Sequence, residues 1–170
     1  MEHLQYPIGR FEAPKTFKKV NEWIKDIEDF PSEISQITEN LNRQDLSKTY
    51  RPEGWNIAQV VHHCADSHMN SFMRTKLALT EEHPAIRLYF EDLWAELVDG
   101  KELDVSDSLI FIQALHSKWT RLLQSLSKED LEKTFFHPEH NTVVTISENI
   151  AFYSWHCRHH LAHINLALDA

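Results

Sequence analysis

Apolar residues recur at three- and four-residue spacing in four long stretches of this chain, and polar segments separate them. That period belongs to helices with one buried face. The first stretch carries Phe17, Val20, Trp23, Ile24, Ile27, Phe30, Ile34, Ile37 and Leu41, which predicts a helix over 16–42. Pro31 sits inside it and lacks the N–H of one ladder bond, so a kink or break is expected there. The second runs over 57–79 through Ile57, Val60, Val61, Cys64, Phe72 and Leu79, with Asn56 and Gln59 placed as an amide capping box. The third runs over 106–126 through Leu109, Ile112, Leu115, Trp119, Leu122, Leu123 and Leu126, with Ser106 or Asp104 as its cap. The fourth runs over 146–168, opened by the capping-box pair Thr145 and Glu148 and uninterrupted by Pro or Gly.

The connecting segments have other patterns. Residues 1–14 hold Pro7, Gly9 and Pro14 and read as an irregular arm. Residues 43–55 are polar and end in turn residues. Residues 80–105 contain Pro84 and Gly100, with a short helix expected over 89–98. Residues 134–137 and 142–146 are β-rich around Pro138-Glu139-His140-Asn141, the pattern of a small hairpin. The expected fold is therefore all-α, a four-helix bundle with a small β-hairpin before the last helix, in a single domain spanning residues 1–170.

Composition narrows the function. Only 3 glycines in 170 residues argue against a turn-rich all-β fold. The formal net charge of −9 repels a phosphate backbone, so no nucleic-acid partner is expected. No apolar run reaches membrane-spanning length, and the opening MEHLQYPIGRFEAP lacks the pattern of a signal peptide. Two cysteines, Cys64 and Cys157, make no disulfide framework, and a cytoplasmic protein with reduced thiols is expected.

The 12 histidines are the unusual feature. Four of them, His156, His159, His160 and His163, crowd the last helix and form two i,i+4 pairs, the arrangement by which a helix offers two imidazoles to a zinc-type ion. At ~100° per residue, His160 lies about 60° from the centre of the apolar stripe, His156 about 100°, His163 about 120° and His159 about 160°. His156 and His160 are thus the pair expected to flank the core, and His159 the outermost. Phe152, Trp155 and Leu166 make a second stripe, suited to another helix or to the twin subunit of a homodimer. A catalytic zinc site uses three protein ligands. Periodicity leaves the third open among His63, His68 and Asp66 on the second helix.

The stretch Gly54-Trp55-Asn56-Ile57-Ala58-Gln59-Val60-Val61-His62-His63, continuing to Asn70, resembles the signature of the DinB/YfiT-like superfamily. Trp155-His156-x3-His160-x2-His163-Ile164 is similar to its C-terminal signature, and Tyr6-Pro7-Ile8-Gly9 resembles the YfiT branch, whose working label is metal-dependent hydrolase. The resemblance implies a divalent ion held by His63, His156 and His160. Asp66 and His163 stand as candidates to orient those ligands from behind. Cys64 and Cys157, each beside an implied ligand, depart from the usual pattern and read first as small buried apolar residues.

Three functions follow. In the first, one divalent ion per chain, zinc before nickel or iron, activates water for hydrolysis of a small-molecule substrate. The second, which related proteins of the superfamily suggest, is transfer of a low-molecular-weight thiol of the bacillithiol type. The third is a metal-binding stress-response module without catalysis. No zincin-type HExxH is present.

Overall fold

The computed structural model of the protein describes residues 2–169. In chain order the elements are α1 (Glu2–Gln5), α2 (Val20–Thr38), α3 (Arg43–Leu46), α4 (Ile57–Thr80), α5 (Glu91–Trp94), α6 (Ser106–Gln124), α7 (Lys128–Leu131), β1 (Thr134–His137), β2 (Thr142–Thr145) and α8 (Ile146–Leu168). Helices α2, α4, α6 and α8 form the four-helix bundle. Helix α2 packs on α6 and α8, and so does α4. The long helices that follow one another as α2 and α4, or as α6 and α8, therefore face each other across the bundle instead of lying side by side.

Each long helix contributes an apolar stripe to one core, with Ile27, Phe30, Ile34, Ile57, Ile112, Trp119, Ile150 and Ile164 all inaccessible or nearly so. Two helix starts follow the sequence closely. The Asn56 side chain accepts from Gln59 N while Gln59 returns a bond to Asn56 N, and Thr145 and Glu148 do the same for α8. The start of α6 differs: Val105 occupies the cap position without a side-chain bond, and Asp104 instead accepts from the Ser106 amide at 3.0 Å.

Helix α2 also differs from expectation. It begins at Val20 and runs through Pro31 to Thr38 as one helix. Phe30 and Ile34, on either side of the proline, are both fully buried, and their packing holds the axis together where the ladder is short of a bond. The expected helix over 89–98 shrinks to the single turn of α5.

The hairpin pairs Thr134 with Thr145 and His137 with Thr142. Phe136 N donates to Pro84 O at 2.9 Å and Ile86 N to Phe136 O at 3.0 Å, so the segment after α4 lies along β1 and fixes the hairpin at that end of the bundle. Strand β2 runs into α8 with no intervening residue, since Thr145 ends the strand and caps the helix.

The N-terminal arm is folded onto α8. Its turn is closed by Gly9 N donating to Tyr6 O at 2.9 Å, and Gly9 adopts φ +81°, a conformation glycine takes without strain. Phe11 packs edge-on against Phe152 at 5.2 Å, and Trp155 Nε1 donates to Gly9 O at 3.1 Å. The arm thus occupies much of the stripe that the sequence left to another helix or a second copy. Among the described residues, no helix is long and apolar enough to cross a membrane.

Candidate metal centre

Helix α4 directs His63, and α8 directs His156 and His160, into one cavity of about 230 Å³. One ring nitrogen of each of the three lies within 4.8 Å of the others. The Nε2 atoms of His63 and His156 are 3.3 Å apart. Two nitrogens bound to one tetrahedral zinc at about 2.0–2.1 Å stand about 3.3–3.4 Å apart, so the donor set fits an ion of this kind. Trp55 lies against His63 with ring centroids 4.7 Å apart, which accounts for the tryptophan beside the helix cap. Burial holds all three imidazoles neutral: His63 is lowered to about 4, and His156 and His160 lie well below the ordinary histidine value. Neutral imidazoles are the form that metals bind.

The second nitrogen of each α8 histidine has a partner. His163 Nε2 is 3.1 Å from Gln5 O, which can only accept, so His163 carries its proton on Nε2 and turns a lone pair from Nδ1 toward His160 Nδ1 at 3.4 Å. The His160 proton then sits on Nδ1 and leaves Nε2 free to bind. His163 is held in turn by stacking on Tyr50, with centroids 4.0 Å apart. His156 Nδ1 is 3.0 Å from His68 Nε2.

The structure separates the three candidates for the third position. His63 meets His156 at Nε2, whereas His68, fully buried, meets the opposite nitrogen of the same ring. Asp66 makes no hydrogen bond with His63 among the described residues. It shares a face with His62, one turn earlier, and its carboxyl is raised to about 6 by burial and by Asp99. The role of orienting His63 therefore does not fall to Asp66 here. His62, the other member of the pair, spends both ring nitrogens on Ser108 Oγ at 2.7 Å and Glu102 O at 2.8 Å.

His159, expected to be the outermost, is only 7% exposed. The helical wheel places it away from the bundle core correctly, but the arm covers that side. Its ring stacks on Trp155 at 4.3 Å and faces Tyr6 at 6.0 Å. A second set of possible donors, His159, His160 and His163, has its nitrogens within 4.8 Å of one another. It shares His160 with the first set, and His163 already uses both nitrogens.

Sequence reasoning missed the rest of the cavity wall. Arg74, three turns along α4 from His63, reaches it together with Tyr89, Glu91, Tyr153 and the hairpin residues His137, Glu139 and His140. Among the described residues no carboxylate lies within ion-pair reach of Arg74, and its buried Nε has no hydrogen-bond partner. An arginine eleven residues after His63 on the same helix was the available signal. The Tyr153 hydroxyl donates to Ser67 O at 3.1 Å, and the Ser67 hydroxyl lies 3.4 Å from His156 Nε2. A larger groove of about 740 Å³ runs along α2 and α6, but none of the three clustered histidines lines it. Cys64 and Cys157 are buried in the core, and burial pushes both thiols up, which keeps them protonated.

The profile of the DinB superfamily matches residues 26–164. A protein of Bacillus thuringiensis subsp. konkukian (strain 97-27) is 49% identical over 166 residues, covering 96% of this chain and 95% of its own, and carries the provisional name metal-dependent hydrolase. A Bacillus anthracis protein, 48% identical over the same shares, carries it too. Among solved structures, YfiT of Bacillus subtilis superposes with a TM-score of 0.94 at 42% identity, covering 98% of this chain and 97% of its own; it is described, again provisionally, as a metal-dependent hydrolase with an unusual four-helix bundle topology. A mycothiol-dependent maleylpyruvate isomerase, 15% identical with a TM-score of 0.70 over 89% of this chain and 63% of its own, shares the fold.

Proposed function

The chain belongs to the DinB superfamily, and on that premise we propose that it is a metal-dependent hydrolase of small molecules whose ion is held by His63, His156 and His160. The observation that carries the reading is the 3.3 Å separation of two neutral Nε2 atoms, one on the half-buried His63 and one on the buried His156, the spacing of ligands on one ion. Three uncharged nitrogen donors suit zinc first, and nickel or iron next. The whole chain is read as one domain, with the arm and hairpin as its cover.

A divalent ion at this position supplies Lewis acidity and makes hydroxide available near neutral pH. The protein groups do the rest. His163 and His68 hold the α8 rings in the tautomer that presents Nε2 to the cavity. Trp55, Phe152 and Trp155 wall the site with apolar surface and limit the water that reaches it. Glu91 and Glu139 are the carboxylates on the cavity wall and the groups placed to accept a proton. Tyr153, raised by burial, stays a phenol and fixes Ser67 beside His156. Arg74, without a carboxylate of its own, offers a bidentate site to a carboxylate or phosphate group of the substrate.

The same donors and cavity serve thiol transfer as a second reading, and the isomerase that shares the fold is named as mycothiol-dependent. Turnover of ester, amide and phosphoester substrates by the zinc- or nickel-loaded protein, run beside a low-molecular-weight thiol plus an electrophile, separates the two. Hydrolysis that is lost on chelation and in His160→Ala supports the proposal. Activity that survives both, or that appears only with the thiol, overturns it.

A further inference from the structure

Pro31 has no N–H to give to the carbonyl four residues earlier, so Ile27 O is released from the α2 ladder. Ile27 is fully buried, and a buried carbonyl needs a partner. It finds one on another helix: His116 Nδ1, from α6, lies 2.6 Å away. A carbonyl only accepts, so the His116 proton is on Nδ1 and its Nε2 is a lone pair. That nitrogen faces His68 Nδ1, from α4, at 2.7 Å. His68 therefore donates from Nδ1 and accepts at Nε2, where His156 Nδ1, from α8, stands 3.0 Å away. The His156 proton is thereby fixed on Nδ1, and its Nε2 is left unprotonated toward His63.

From this sequence of bonds we propose that His68 and His116, ending on the carbonyl that Pro31 releases, form a buried positioning chain that sets the tautomer and ring orientation of His156 for cation binding. The proposal rests on the three-histidine reading of the site. All four bundle helices take part, each supplying one group. The rings of His68, His116 and His156 are 5% exposed or less, and Phe30 packs against two of them, at 5.0 Å from His68 and 5.5 Å from His116. The groups that act on His68 are His116, His156 and His63, with no carboxylate among them. A metal-bound histidine commonly donates its other N–H to a carboxylate or a carbonyl. Here two neutral rings carry the link inward to a carbonyl, so orientation is gained without adding negative charge near the ion. Neutral imidazoles would leave a bound cation its full charge.

The test uses the full chain with histidines labelled with nitrogen-15. In the chelated wild-type protein at pH 7.5, long-range proton–nitrogen spectra are expected to show His68, His116 and His156 all neutral and all protonated on Nδ1. In Ni²⁺ and Zn²⁺ titrations, His68→Leu and His116→Leu each weaken binding by roughly 10- to 100-fold. His68→Gln and His116→Gln, whose amides can donate at one end and accept at the other, stay within about threefold of wild type. An Nε2-protonated His156 in the wild-type spectrum, or folded leucine variants at wild-type affinity, overturns the proposal. Where a leucine variant does not fold, the wild-type spectrum decides alone. Failure of the wild-type chain to bind either ion strikes the functional reading itself and leaves the tautomer result to judge the chain of bonds.

Discussion

The Nε2 atoms of His63 and His156 face each other across 3.3 Å, although the two residues are 93 positions apart in the chain. Among the described residues neither nitrogen has another protein partner at hydrogen-bonding strength; Ser67 Oγ, at 3.4 Å, lies at the outer limit for His156. Two lone pairs at that distance repel unless a proton or a cation lies between them. Equilibrium titration with Zn²⁺ or Ni²⁺ is expected to give one ion per chain, and His63→Ala, His156→Ala and His160→Ala to lose at least ~100-fold in affinity, as removing a direct ligand does. His159→Ala is expected to keep occupancy. A His159 variant as empty as the His160 variant would move the ion to the second histidine set.

Acid should destabilise the metal-free protein. His116 is held near 4 by burial, and His63 likewise, against about 6.5 in an unfolded chain. The unfolded state therefore binds more protons between those values, so stability falls as pH drops from about 6.5 toward 4 and is insensitive to these groups above about 7.5. At pH 5 one such histidine costs about 2 kcal/mol, or roughly 4–8 °C of melting temperature for a chain of this size. Calorimetry of the chelated protein at pH 7.5 and pH 5 checks this. A flat profile would mean that the histidines open to water before the fold is lost.

Arg74→Gln should weaken anionic ligands selectively. A charge-assisted bond of about 1.5–3 kcal/mol corresponds to a roughly 10- to 100-fold loss. Inhibition of the metal-loaded enzyme by phosphate and by small carboxylates is the readout, with a neutral ester as control. Equal losses for charged and neutral compounds would show that Arg74 shapes the wall and does not bind the anion.

Gly9→Ala should cost about 1–2 kcal/mol, seen as a drop of roughly 2–8 °C in melting temperature. A methyl group at Gly9 meets nothing within 4 Å, so the cost is the backbone strain at φ +81° alone. Because the turn carries Gly9 O to Trp155 Nε1, the tryptophan fluorescence of the variant should shift as well. An unchanged melting temperature would mean that the arm contributes little to the folded state.

The long helices, both capping boxes and the hairpin were legible because each is a local pattern: a period of three to four, a pair three residues apart, two β-rich runs around a proline. His156 and His160 were legible for the same reason. His68 stood among the three open candidates on its helix, but its partner His116 is 48 residues away, and no periodicity joins them. The burial of His159 was not legible because a helical wheel knows only the bundle and cannot register an N-terminal arm returning over the outer face. Pro31 was read as a fault in a helix. Its neighbours on both sides are buried, so the helix persists, and the carbonyl it leaves free, Ile27 O, accepts from His116 on another helix.

The direct passage of β2 into α8 has a further consequence. Thr145 is locked from two sides, by its pairing with Thr134 and by its box with Glu148, so it insulates the helix from the loop beyond it. The turn at 138–141 can lengthen, shorten or change its residues without transmitting a rotation to His156 and His160, eleven and fifteen positions after Thr145. Glu139 and His140, in that turn, and His137, at the end of β1, line the cavity. Such an arrangement separates what the site accepts from what it does: a lineage can exchange one substrate for another by rewriting a few loop residues, while the reactive centre is inherited intact.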